Sequence, residues 1–234
     1  MSYRHRCLSE ADSLSCRQRT GGEMHESVNA DQVDLTGFFH YMQEPGTASD
    51  NASVSRIFTQ IGVNDKMLSF VLKNREVAAF IRSRYQPTPI ALGSLLKLPI
   101  DSFGFQWANF MRQHQLNPHF FQNLQEHDDR SYLINRLHDT HDMWHVLLGF
   151  DISEAGEAGM NAFTYAQSGS PTTCMLMAAK LVRAIGGDEQ IRQLMMYNIS
   201  RGYQLGIQAQ PFLAVAWEEH WTTPIQQLRQ LVGV

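Results

Sequence analysis

From about Val54 onward, nowhere does the chain alternate apolar and polar residues for longer than about four positions, while apolar side chains recur at spacings of three and four. A half-buried strand needs a period of two, and a helix needs a period near 3.6. The pattern therefore excludes a sheet-based core and predicts an all-α fold. Punctuation agrees with it. Asn64-Asp65 can cap a helix whose inward positions include Met67, Phe70, Val71, Val77, Phe80 and Ile81, ended by Pro87 and Pro89. Asp101-Ser102 can cap the next, which carries Phe105, Trp107, Phe110 and Met111, and Asn117-Pro118 restarts the chain after it. A long helix is expected from near Asp129 to Leu148, and Ser153 can cap another to about Ala166. Ser170-Pro171 opens a helix carrying Cys174, Met175, Met177, Leu181 and Ile185, which Gly186-Gly187 close. Asp188 caps one through Ile199 and Tyr203, and Thr223-Pro224 opens the last.

Before this helical region, residues 1–32 are polar and non-periodic and read as a disordered N-terminal tail, or as a product of a start codon upstream of a true one at Met24. A single helical domain is expected over 33–234, with a short helix from Val33 to Met42 and a turn-rich loop from Glu44 to Asn51. The 234 residues and 43% hydrophobic content suit one such domain.

Charge narrows the function classes. The net charge is −4, and Lys66, Lys73, Lys97 and Lys180 are the only lysines, with no basic run. Nothing here attracts nucleic acid or an anionic surface electrostatically. Three cysteines, Cys7, Cys16 and Cys174, form neither a disulfide framework nor a Cys-x-x-Cys pair. They fit a reducing compartment, and Cys174 reads as packing in its apolar helix. No window approaches eighteen continuous apolar residues. A cytoplasmic protein is expected, with peripheral contact on the inner face of a membrane if it acts on lipid, or on the matrix side of the mitochondrial membrane if the chain is eukaryotic.

The segment His141-Asp142-Met143-Trp144-His145, followed by Glu157 twelve positions after His145, carries the most chemistry. On a helix His141 and His145 lie one turn apart on one face, close enough to share an ion. By helical phase, Leu133, Ile134, Leu137, Trp144 and Leu148 define an apolar arc, with His141 inside it and His145 at its edge beside His138 and Asp142. Asp151 is the midpoint between His145 and Glu157, and it lies within a predicted connection from Gly149 to Ile152. In an antiparallel helical hairpin Glu157 then falls opposite His145. Ala155, Gly156, Ala158 and Gly159 are small enough to let helices approach closely. A His-x-x-x-His pair on a helix is commonly an ordinary surface or core pair. The inward phase, adjacent Asp142 and mirrored Glu157 favour a divalent metal centre instead, for zinc or for magnesium, manganese or iron. Asp142 serves there as a ligand or as a group that orients a histidine.

At these residues the sequence resembles the coenzyme Q biosynthesis protein 4 family, whose motif H-D-x-x-H, eleven residues, then E stands here as His141, Asp142, His145 and Glu157. Leu98-Pro99-Ile100-Asp101-Ser102-Phe103-Gly104 is similar to the family's L-P-x-x-S/T-F/L-G segment. Trp217-Glu218-Glu219-His220-Trp221 with Pro224-Ile225 is similar to its W-E-E-x-W-x-x-P-L/I ending. The likeness covers roughly residues 55–234. It implies a helical bundle enclosing an apolar channel for a polyprenyl lipid or prenylated quinone precursor, with the metal motif near the head-group end. It implies peripheral membrane association and contact with other quinone-synthesis enzymes; the sequence leaves a homo-oligomer open. The family is regarded both as a scaffold and as a lyase that removes the C1 carboxylate of a prenylated hydroxybenzoate oxidatively.

Met160, Met175, Met177, Met195 and Met196 suit a surface that accommodates a flexible chain, and equally suit ordinary core filling. The apolar segments Pro89 to Ile100 and Pro211 to Trp221 are candidates for a membrane interface or for internal packing. A third class, a helical metal-dependent phosphohydrolase, would need further ligands from His114, His119, His127 or His138, whose spacing shows no second motif.

Overall fold

The computed structural model describes residues 35–43, 54, 57–58, 63–118 and 125–234. Its helices are α1 (Thr36–Gln43), α2 (Val63–Val71), α3 (Arg75–Ser83), α4 (Leu92–Leu95), α5 (Phe103–Gln113), α6 (Asp129–Leu148), α7 (Glu154–Ser168), α8 (Pro171–Ala184), α9 (Glu189–Gln208) and α10 (Ile225–Val232), with single 3₁₀ turns at Phe212–Ala214 and Trp217–His220. The described residues contain no strand, only one isolated bridge between Ser102 and Pro224. The fold is all-α, as the periodicity predicts. The expected tail at 1–32 and the loop at 44–51 lie outside the described residues.

Side-chain caps begin most of the long helices. Asp128 and Ser131 form a capping box at the start of α6, and Ser153, Ser170 and Asp188 accept from the backbone of Gly156, Thr173 and Gln190. Gly149 and Gly169 end α6 and α7 in the left-handed region, at φ 68° and 64°, where a Cβ would be strained.

The stretch expected as one helix from Asn64 to Pro87 is two. Asn74 breaks it, its side chain accepting from Glu76 and Val77 N–H and starting α3 afresh. α3 then stops at Ser83, because Arg84 turns left-handed before the prolines are reached. Phe70, expected inward, is 46% exposed, its ring laid over Gly169. Ile185 is 73% exposed, at the residue that caps the end of α8. Cys174 is exposed as well, so it is not a packing residue.

The core is aromatic. Trp144, Phe163, Phe212 and Trp217 are all buried and meet edge to face, with Phe163–Phe212 and Phe212–Trp217 centroids 4.7 and 4.8 Å apart. α7 and α9 pack backbone to backbone. A Cβ on Gly202 would stand 2.1 Å from the Gly159 carbonyl oxygen. The small residues of α7 thus do permit a close approach, and the helix that makes it is α9.

The two outlying segments that the sequence singles out meet each other. Phe103 N–H donates to Thr223 O, Gly104 N–H to Trp221 O and Ile225 N–H to Asp101 O, each at 2.8 Å. Trp221 stacks on Phe103 and Trp107, at 5.4 and 5.1 Å. A Cβ at Gly104 would collide with Trp221 O, so glycine is required where the segments cross. Arg136 of α6 then anchors the acidic ending: its guanidinium pairs with both Glu218 oxygens at 2.5 and 2.9 Å and donates to Val215 O, with the Arg136 and Glu218 side chains buried. Pro211 to Trp221 is internal packing, with Phe212, Leu213 and Trp217 buried. No described helix is long and apolar enough to cross a membrane.

Candidate metal centre

The end of α6 that carries the histidines is held from outside the hairpin. Arg229 of α10 donates to Val146 O and Leu147 O, and Arg201 of α9 donates to Leu148 O. These guanidinium groups satisfy carbonyls that the helix leaves open, at the terminus that favours positive charge. The connection to α7 is equally fixed. Asp151 Oδ1 accepts from Ser153 N–H and Oγ–H, and the Phe150 ring lies against Gly159 and carries the Arg201 guanidinium over it. A Cβ at Gly156 would stand 2.1 Å from Asp151 O, so the link folds tightly back over the first turn of α7.

This link brings His145 and Glu157 face to face, with Nε2 and Oε1 3.2 Å apart. His141 Nε2 is 3.8 Å from the other Glu157 oxygen. One ligand atom from each of His141, His145 and Glu157 lies within 4.8 Å of the others, the spacing of donors around a single ion. Asp142 is not at that point. Its Oδ1 lies 3.3 Å from His141 Nδ1, on the far side of the ring, where it orients the imidazole.

Depth differs from the phase prediction. His145 is the buried histidine, at 1% exposure, and His141 is the open one, at 28%. The reason is that α6 is central. Tyr132, Arg136, Thr140, Met143, Trp144 and Leu147 are buried along one sector, and Ser131, Asn135 and His145 are buried on another flank, so an arc fitted to the apolar residues alone misses the second buried side.

The tautomer of His145 bears on what the site accepts. Its Nδ1 lies 3.1 Å from Phe150 O, an acceptor, so Nδ1 carries a proton. Nε2 of the neutral ring is then a lone pair, buried and without a donor, aimed at a carboxylate oxygen. Two acceptors that face each other need a cation between them, either a proton or a metal ion. The donor set present, two imidazole nitrogens and one carboxylate, fits a divalent ion with positions left for another ligand. Without metal, protons take that part. Burial pushes the Glu157 carboxyl up, but the hydrogen bond from His145 and the charges of His141, His145 and Lys180 overcome it and hold it at about 2. Burial likewise opposes the charged form of His141, and the hydrogen bond to Asp142 with the charges of Glu157 and Asp142 raises it above its ordinary value.

The other histidines stay apart. Among the described residues, His141, His145 and Glu157 are the only group of three or more His, Cys, Asp or Glu that converge in this way. His114 meets Phe110 edge to face, and the Phe110 ring in turn stacks on His145; burial pushes His138 down to about 4. His119 lies outside the described residues. Sequence reasoning missed Lys180, a buried lysine on α8, and the Arg136–Glu218 pair. The signal for Lys180 was its place amid Leu176, Ala179 and Leu181, where a lysine is out of pattern.

An all-helical chain with a His-His-Glu cluster on a helical hairpin is thus the class defined by fold and site. The chain belongs to the coenzyme Q (ubiquinone) biosynthesis protein Coq4 family, whose model matches residues 42–234. It is 32% identical over 156 residues to the mitochondrial ubiquinone biosynthesis protein COQ4 homolog of Bos taurus, covering 65% of this chain and 58% of that protein. The mitochondrial COQ4 homolog of Aedes aegypti is 26% identical over 160 residues, covering 65% of this chain and 56% of that one. The chain therefore matches a little over half the length of these relatives. A crystal structure from Nostoc punctiforme, provisionally described as a ubiquinone biosynthesis protein, superposes with a TM-score of 0.75 at 26% identity, covering 87% of this chain and 98% of the other.

Proposed function

We propose that this chain is a metal-dependent, prenyl-lipid-binding protein of ubiquinone synthesis, acting as a lyase in the oxidative removal of the C1 carboxylate from a polyprenyl hydroxybenzoate. The observation that carries this reading is the convergence of His141, His145 and Glu157, with His145 Nδ1 already committed to Phe150 O. In it His141 Nε2, His145 Nε2 and Glu157 hold the ion, and Asp142 orients His141. An ion held by these residues would supply Lewis-acid polarisation of a carboxylate or ring oxygen of a bound aromatic acid, or a place for an oxidant. Zinc suits the donor set, whereas an oxidative step calls for a redox-active ion such as iron or manganese.

The prenyl chain is held by apolar burial, at about 0.8 kcal/mol per CH₂. Half-buried Met175 and Met177 on α8 are candidates to line its path, whereas Met160 and Met195 are wholly enclosed in the core and Met196 is exposed. The chain works peripherally at a membrane, beside other enzymes of the pathway. The Bos taurus and Aedes aegypti relatives are named as mitochondrial proteins.

Elemental analysis and lipid mass spectrometry of the purified protein test this reading together with complementation of a strain that lacks the activity. Stoichiometric metal, a co-purifying prenyl aromatic acid and rescue that depends on His141 and His145 are expected. Rescue by the metal-free double variant would make the protein a lipid-binding scaffold. Phosphate release from a nucleotide would make it a phosphohydrolase.

A further inference from the structure

α7 and α8 form a second antiparallel hairpin, and one ion pair records its register: Arg183 Nη2 is 2.7 Å from Glu154 Oε1. Moving three residues inward from that pair on each helix reaches Glu157 on α7 and Lys180 on α8. Lys180 therefore stands across from the carboxylate of the metal centre. It is 5% exposed. Its Nζ donates to Tyr41 Oη at 2.6 Å and sits 5.3 Å from the centre of that ring. Among the described residues no carboxylate oxygen comes within 4.0 Å of it. An ammonium has three donors, and a neutral hydroxyl takes one. A buried cation so placed is underpaired, and its environment favours an anion. Its charge bears on both Glu157 and His141.

A second group faces the same need. Asn161 follows Glu157 by one helical turn on α7 and is 6% exposed. Its Nδ2 is buried without a hydrogen-bond partner. Buried amides are normally paired, so this one calls for an acceptor beside it.

We propose that Lys180 Nζ and Asn161 Nδ2 form an oxyanion receptor beside the His141–His145–Glu157 centre, which takes the carboxylate or phosphate of the bound lipid's head group. This deepens the proposed function and rests on it for the lipid. The ion and the receptor then hold the head group from two sides, leaving the apolar tail to burial.

The test uses the full metal-loaded chain and three probes: a prenylated hydroxybenzoate, the prenylphenol that lacks its carboxylate, and a prenyl monophosphate. Lys180→Met is expected to weaken the anionic probes by about 10–100-fold and to leave the phenol within about twofold. Asn161→Leu moves the same way by less, and Lys180→Arg restores part of the loss. The anionic probe that wild type binds tighter names the head group. Equal loss for all three probes, or no loss for any, overturns the receptor. Should Lys180→Met lose its helical fold, Asn161→Leu carries the same comparison. Unprenylated para-hydroxybenzoate, titrated into metal-free wild type by NMR, separates the two readings. Lys180-dependent binding of this probe in a chain that takes no prenyl ligand keeps the receptor and sinks the lipid. Tight prenyl binding blind to the anionic group keeps the lipid and sinks the receptor.

Discussion

His145 and Glu157, equally far in sequence from Asp151, meet across the α6–α7 hairpin with 3.2 Å between Nε2 and Oε1. The contact joins a wholly buried imidazole to a carboxylate reached from outside. Removing either side has a different expected cost.

The double variant His141→Ala, His145→Ala is expected to lose metal while staying helical. His145 also donates to Phe150 O and stacks on Phe110, so the variant leaves a small cavity and an unmet carbonyl. Stability should fall by about 1–3 kcal/mol. Elemental analysis and thermal unfolding by circular dichroism read both effects, and stoichiometric metal in the variant would remove these histidines from the site.

Glu157→Gln keeps the shape and loses the charge. Metal affinity should fall by at least about 10–100-fold, as when a ligand or its supporting partner is lost. Prenyl-chain burial is unaffected, so lipid affinity should largely persist. Titration calorimetry with each ligand separates the two; wild-type metal affinity would place Glu157 outside the centre.

Metal and protons compete at this site, and that sets a pH dependence. His141 is raised above its ordinary 6.5, so its contribution to the metal-free fold is fully present below 6.5 and is lost as pH rises through the raised value. Glu157 is held at about 2 against an ordinary 4.5, so its contribution is present above 4.5 and is lost as pH falls toward 2. The part of metal-free stability due to these two groups should be greatest between those limits. Added metal should raise Tm more near about pH 8 than near about pH 6, because fewer protons must be displaced. Scanning calorimetry with and without metal checks this, and a metal shift independent of pH would mean that the histidines do not bind it.

Away from the metal, Glu218→Ala leaves the Arg136 guanidinium buried without its carboxylate. A loss of about 3–5 kcal/mol is expected, with most of it recovered when Arg136→Met is added. Denaturant unfolding of the single and double variants measures it. A single-variant loss below about 1 kcal/mol would show that water reaches the pair.

Helix-forming segments and their caps were plain in the sequence because capping is local: Asp188, Ser170 and Ser153 act on amides within three residues. The hairpin pairing of His145 with Glu157 was legible for the same reason, since a short link leaves one register. What depends on distant neighbours was not. The depth of His145 follows from the Phe110 ring stacked on it, and the pairing of Arg136 with Glu218 from elements far apart in the chain; the break at Asn74 is a local cap within the polar run Lys73-Asn74-Arg75-Glu76, which the longer apolar period masks.

The tight fold of the 149–153 link has a consequence for what sequences this site tolerates. One residue added there would turn α7 by about 100° relative to α6 and carry Glu157 off the histidines, even with every ligand still encoded. It would also lift Gly156 and Gly159 away from Asp151 and Phe150, which occupy the space a side chain would need. The spacing between His145 and Glu157 thus works as a ruler, and a single-codon insertion or deletion should be more damaging here than many substitutions of the surface around it.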